Sequence, residues 1–184
     1  MKSRAFKLSA WSCLAVLGAA VVLDVSGLAV ATPTSPGFVS EILARSFFEK
    51  IRVNAAHGGG ESAQGVQNGD TDEPGLVKIL AKEPSDVYVV RNTVAPGADS
   101  GWHTHPGPSV VLVKSGVASV YEGSDPSCAP VTYPAGTGFV DAGGSHVHLV
   151  RNTGSMPLVT VAFQIIPAGA QRRIDAPNPG YCPF

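Results

Sequence analysis

From Val77 onward the apolar residues fall in short, β-branched runs punctuated by Gly, Pro, Asn and Asp. Val77 to Leu80 and Asp86 to Val94 have the composition of strands, and Pro96-Gly97 turns the chain. Val110 to Val113 is an unbroken apolar run and predicts a buried strand. Lys114-Ser115-Gly116 predicts a hairpin turn. Val117 to Tyr121 follows with apolar residues at alternate positions, and Gly123 to Pro130 is a loop. Gly136–Asp141, Val147–Asn152 and Leu158–Ile166 complete the set of predicted strands. Upstream, Glu41 to Arg45 fits a short helix or an edge strand, and the strand is preferred. His57 to Gly75, with its Gly58-Gly59-Gly60 run, reads as a mobile loop. No apolar stripe of 3.6-residue period has useful length. Seven or eight short strands predict an all-β sandwich or barrel, with the jelly roll among the options.

The first residues follow a different pattern. Lys2, Arg4 and Lys7 precede an apolar run from Cys13 to Leu23, Asp24 is the only charge between Leu8 and Ala31, and Ala29-Val30-Ala31 is a small-x-small site. Together they predict a secretory signal peptide over residues 1–31, removed on export to a secreted or periplasmic location. The uncharged stretch is short for a membrane span, so no stable membrane anchor is expected after cleavage. Of the three cysteines, Cys13 leaves with the signal. Cys128 and Cys182 remain, and in an exported chain an even pair predicts one disulfide.

Length and charge narrow the picture further. A chain of 184 residues fits one domain. Its 21 glycines and 15 prolines, about a fifth of the chain, argue against a helical bundle. A net charge of −1 with no basic stripe excludes nucleic acid as an expected partner.

Four of the five histidines form two His-x-His pairs, His103/His105 and His146/His148. In a strand, residues i and i+2 share a face, so each pair can aim both imidazoles into one cavity. Imidazole is a common ligand for Fe, Zn, Ni and Cu, so the two pairs predict a shared metal site. His57 lies alone in the predicted loop. Neither cysteine has an adjacent base, and Ser109 has no acid placed to complete a triad, so nucleophilic catalysis is not expected. Trp102, next to His103, points to the opposite face of a regular strand and is assigned to outer packing.

These residues also carry a family resemblance. Gly97-Ala-Asp-Ser-Gly-Trp-His103-Thr-His105 resembles the first half of the first cupin motif, and Gly116 falls where that motif ends. His148-Leu-Val-Arg-Asn152 resembles the end of the second motif. The similarity spans roughly residues 86–166. It implies a small antiparallel jelly-roll barrel with a divalent metal held by two histidines of motif one and one of motif two, here His103, His105 and His148. Two positions depart from the pattern. The usual motif-one glutamate, seven residues before the closing glycine, is Ser109. The Pro-x-Gly before the motif-two histidine is Gly143 and Ser145. Without that carboxylate, a site of three neutral imidazoles leaves the metal its full charge and at least one open position. Alternatively His146 supplies a fourth nitrogen, or supports the ligands from behind. Tyr121 and Glu122 are more remote candidates for the cavity wall.

The resulting organisation is a signal peptide (1–31), an N-terminal extension with the Gly-rich loop (32–74), a cupin β-barrel (75–168) and a C-terminal tail tied back by a disulfide (169–184). The expected cofactor is a divalent transition metal (Fe, Zn, Mn, Ni or Cu). The expected function is a metal-dependent oxidoreductase of the dioxygenase type, with a cavity lined by residues such as Val111, Val113 and Phe139. The competing function is a non-catalytic module that binds a metal or small ligand in the same barrel. A small molecule is the expected partner, and a homodimer is compatible with the sequence. Fold alone fixes no reaction.

Overall fold

The computed structural model describes residues 31–57 and 75–184. The signal-peptide assignment and most of the predicted loop therefore lie outside the described residues. The elements are all strands: β1 (Phe38–Phe48), β2 (Ile51–His57), β3 (Gly75–Ala81), β4 (Ser85–Val94), β5 (His103–Thr104), β6 (Ser109–Ser115), β7 (Val117–Glu122), β8 (Val131–Pro134), β9 (Gly138–Asp141), β10 (His148–Arg151), β11 (Leu158–Pro167) and β12 (Ile174–Asp175). Among the described residues no helix is long and apolar enough to cross a membrane.

The pairing of β4 to β11 has a simple logic. β4 pairs with β11, β5 with β10, β6 with β9 and β7 with β8, all antiparallel. This nesting is one long two-stranded ribbon whose end lies between β7 and β8. The ribbon winds on itself, so β11 also meets β6 and β10 also meets β7. Two sheets result, in the orders β1-β4-β11-β6-β9 and β12-β5-β10-β7-β8. That is the jelly roll, and winding leaves the ribbon few free edges. β1, from the segment assigned to the N-terminal extension, adds to β4. β2 and β3 form a separate hairpin.

Period-two burial follows the sequence along β11, where Leu158, Thr160, Ala162, Gln164 and Ile166 point inward. β6 alternates in the same way. Ser109, Val111 and Val113 are buried, whereas Val110 and Leu112 are exposed. The predicted buried strand is thus corrected to one buried on a single face, because β6 belongs to a sheet with one face inside. A second correction concerns Gly116. It does not close a hairpin, since β6 and β7 lie in different sheets. It turns the corner between them at φ +77°, with no room for a side chain against Leu158. β8 was not read from the sequence, because Pro130 and Pro134 mask a short edge strand.

Three clusters fill the interior. Tyr88, Val90, Val111, Ala162 and Ile166 occupy one end. Val94, Ala98, Val113, Ala118 and Leu158 join the two sheets. Trp102, Tyr121 and Leu149 pack on the outer face of the second sheet against Ala176 and Cys182 of the tail. Trp102 thus takes the outer packing role expected of it, and is 1% exposed. A disulfide joins Cys128 to Cys182, with Cα atoms 5.4 Å apart. Thr32 ties the start of the described residues to the same face: its Oγ1 accepts the Trp102 N–H at 2.7 Å and its own N–H donates to the Ala176 carbonyl at 2.9 Å.

Two stability predictions follow from this architecture. The disulfide closes a loop of 54 residues, worth about 4 kcal/mol in the chain-entropy description. Replacing both cysteines by serine is expected to lower the denaturant midpoint accordingly, and thiol titration of the unreduced, denatured wild type should detect neither cysteine. Gly116→Ala places a Cβ 2.9 Å from Leu158 Cα at a positive φ. It is expected to cost about 1–3 kcal/mol in equilibrium unfolding, whereas Gly136→Ala, also at positive φ but with open space around it, should cost less.

Candidate metal centre

The ribbon register brings the predicted ligands together. His103 on β5 and His148 on β10 are direct cross-strand partners, and such partners present their side chains on one face. His105 follows two residues after His103 and turns to the same side. Ring centroids lie 4.3 Å apart for His103 and His148, 5.0 Å for His103 and His105, and 5.8 Å for His105 and His148. One ring nitrogen from each of the three lies within 4.8 Å of the others. All three side chains are buried.

Backbone carbonyls fix two of the rings. His103 Nδ1 lies 2.9 Å from the Gly101 carbonyl, and His105 Nδ1 lies 2.6 Å from the Arg172 carbonyl. A carbonyl only accepts, so each Nδ1 carries the proton and each Nε2 keeps a lone pair. Burial pushes the His103 pKa well below its ordinary value, helped by the nearby His148 and Arg173. Burial likewise lowers His105, against the opposing effect of its bond to the Arg172 carbonyl. His148 is lowered to about 4, again mainly by burial. The three rings are therefore neutral at pH 7, the form that binds a metal.

His146 is placed differently. It is about a third exposed, and both ring nitrogens face carboxylates: Nδ1 is 2.9 Å from Asp141 Oδ1 and Nε2 is 2.5 Å from Glu122 Oε2. Burial opposes charge on this ring, but the bond to Asp141 and the two carboxylate charges outweigh it and raise its pKa. Glu122 is thus engaged with His146. Tyr121 packs on the opposite face of its sheet with Trp102 rather than lining the cavity. Val113 lies in the core between the sheets, whereas Val111 and Phe139 do line the cavity. His57 ends β2, in the separate hairpin; its side chain is outside the described residues.

Sequence reasoning passed over three residues of this site. Asp141, on β9, is 2% exposed and faces the histidines from the other sheet, with Oδ2 3.9 Å from His105 Nε2 and Oδ1 3.7 Å from His148 Nδ1. Its signal was parity: Asp141 shares a face with Phe139, already assigned to the cavity. Arg172 and Arg173 reach the cavity from the tail, which no strand pattern could foretell. Arg173 pairs with Asp175 at 2.6 Å. Arg172 donates to Gln164 Oε1 at 2.9 Å, and Gln164 Nε2 donates to Ser109 Oγ at 2.8 Å. Among the described residues, Arg172 has no carboxylate partner. Burial and the neighbouring Arg173 pull its pKa below the usual arginine value.

The cavity between the sheets has a volume of about 60 Å³. Two buried polar atoms in its wall, Asp141 Oδ2 and His148 Nδ1, have no hydrogen-bond partner. Native proteins leave few such atoms unsatisfied. Converging lone pairs from neutral imidazoles and an orphaned carboxylate oxygen fit a divalent cation.

No protein-family model matches the sequence, and no curated protein matches it. Among solved structures, a conserved protein with a double-stranded β-helix domain from Klebsiella pneumoniae is 26% identical, with 49% of this chain and 74% of that chain covered and a TM-score of 0.42. A cupin superfamily protein from Desulfitobacterium hafniense is 14% identical over 44% of this chain and 67% of its own, with a TM-score of 0.38. An oxalate oxidase is 22% identical over 45% and 46% of the two chains, with a TM-score of 0.38. These likenesses are partial, and the nested pairing of β4 to β11 identifies the architecture on its own: the chain has the antiparallel double-stranded β-helix, the jelly-roll fold in which cupins are built.

Proposed function

We propose that this is an exported metal-binding cupin that holds one divalent transition metal through His103, His105 and His148 and acts as an oxidoreductase of the dioxygenase type. The observation that carries the reading is the convergence of three buried, neutral imidazoles, two of them with Nδ1 committed to backbone carbonyls. A divalent metal bound by these histidines would supply Lewis-acid chemistry and, if redox-active, electron transfer to a small substrate. The chain's own residues do the rest. The Gly101 and Arg172 carbonyls hold two rings in the ligating tautomer. Val111, Phe139 and Ala162 give the cavity apolar walls, which raises the strength of every charge interaction inside. Arg172, half-buried and without an acidic partner, offers its guanidinium to a substrate bearing a carboxylate. The cavity volume admits only a small one. His146, with Nδ1 on Asp141 and Nε2 on Glu122, is read as support for the site, although it also lies close enough to Asp141 and His148 to share a metal with them.

Elemental analysis of protein purified from its native compartment is expected to find about one transition metal per chain. His103→Ala and His148→Ala should each empty the site, while His57→Ala should leave occupancy unchanged. Oxygen uptake with small carboxylic acids supports the enzyme. Tight binding of such an acid by the metal-loaded protein without turnover supports the non-catalytic module instead. Full metal content in both alanine variants at the ligand positions overturns the site. Export carries a separate expectation: mass spectrometry of the secreted protein should find an N-terminus at or near Thr32, and an intact Met1 in that fraction contradicts it.

A further inference from the structure

We infer that Asp141 is the carboxylate ligand of this centre, supplied from β9 in place of the motif-one glutamate whose position holds Ser109. The inference rests on the three-histidine reading and adds to it an oxygen donor from the opposite sheet.

The register makes the substitution possible. Ser109 on β6 and Asp141 on β9 are direct partners across the ladder. Direct partners stand side by side on one face, with Cβ atoms about 5 Å apart. A carboxylate at position 141 therefore enters the same layer of the barrel as one at position 109. Ser109 is free to be small, and its hydroxyl is occupied by Gln164.

The two oxygens of Asp141 are treated differently. Oδ1 accepts the Gly143 N–H at 2.9 Å and lies 2.9 Å from His146 Nδ1. Oδ2 is buried with no hydrogen-bond partner and lies on the His105 Nε2 side. Holding the β9–β10 turn requires Oδ1 alone, and an asparagine amide oxygen would serve that purpose. A second, ionised oxygen left bare in a buried wall carries a desolvation penalty that only a cation or donor removes. His148 Nδ1, also without a partner, lies 3.7 Å from Oδ1, the oxygen already engaged with Gly143 and His146. His146, bonded to Glu122 and Asp141, is then a positioning residue that orients the carboxylate.

Charge supports the same assignment. Three imidazoles leave a divalent ion at +2 in a cavity that already contains Arg172 and Arg173. Asp141 brings the centre to +1. A carboxylate oxygen also shifts preference toward Fe(II), Mn(II) or Zn(II) and away from Cu(I).

The test is Co(II) titration of chelator-stripped protein, read by visible absorption and calorimetry, for the wild type, Asp141→Asn, the double variant Asp141→Asn/Ser109→Glu, and His148→Ala. Asp141→Asn keeps an Oδ1 acceptor and removes the ligating oxygen. It is expected to weaken Co(II) binding by more than the roughly 10–100-fold that loss of an outer-shell partner costs, and to alter the absorption spectrum. The double variant should recover affinity to within about tenfold, because the carboxylate returns from the partner position. Wild-type affinity and spectrum in Asp141→Asn, together with loss of binding in His148→Ala, overturn this inference and leave the three-histidine site standing. Retained binding in His148→Ala overturns both. If Asp141→Asn does not fold, a crystal structure of the Co(II)-loaded wild type decides: a metal–Oδ2 distance of about 2.0–2.2 Å supports the inference, and a distance beyond about 3 Å overturns it.

Discussion

The continuous antiparallel register of one ribbon, β4 to β7 laid against β8 to β11, is the constraint from which the other features follow. Because side chains alternate with period two, fixing one cross-strand pair fixes which residues face inward along the whole ribbon. The pair His103↔His148 and the pair Ser109↔Asp141 belong to the same ribbon. A slip of the β8–β11 arm by one residue would turn His148 out, away from His103, and replace Asp141 by Val140 or Ala142. The corner at Gly116, where no Cβ fits beside Leu158, helps to hold the register where the ribbon crosses between sheets.

The interior of this barrel is costly to form without a ligand. Three imidazoles, a carboxylate and a glutamine side chain replace what would otherwise be apolar core, each buried and depriving the fold of hydrophobic stabilisation. The apolar clusters adjoin these groups: one includes Val111 and Ala162 of the cavity wall, one joins the two sheets and one lies on the outer face. The outer cluster is the unusual one. Trp102 sits back to back with His103, so the strand that positions the histidines inside is clamped from outside by the tail and the disulfide. Thr32 completes the clamp by bonding both Trp102 and Ala176. Stability of the outer layer and geometry of the inner one are thus carried on the same short strand.

The tail does more than cover. Its β12 pairs with β5, its Arg172 carbonyl orients His105, and its Arg172 side chain reaches the cavity through Gln164. Residues 169–184 therefore contribute to the cavity wall, the His105 tautomer and the disulfide at once. A tail released from β5 would loosen all three.

Sequence alone determined the strand-rich class, most strand positions from β3 onward, the two histidine pairs and the cysteine pairing, because each depends on local pattern: period-two alternation, turn residues and counts. It also placed Trp102 on the outer face by parity with His103. Tertiary structure decided what depends on register between distant segments. The run Val110–Val113 looks buried throughout until β6 is seen to have one face outside. Lys114-Ser115-Gly116 looks like a hairpin until its strands are seen to join different sheets. His146 and His148 look equivalent by parity, yet His146 is drawn to Glu122 and Asp141 while His148 joins His103 and His105. Asp141 was visible as an acid ending an apolar strand, but its place opposite Ser109 exists only once β6 and β9 are paired. The physical reason is the same in each case: the sequence records which face a residue shares with its neighbours two positions away, and only the ladder between strands decides which other face it meets.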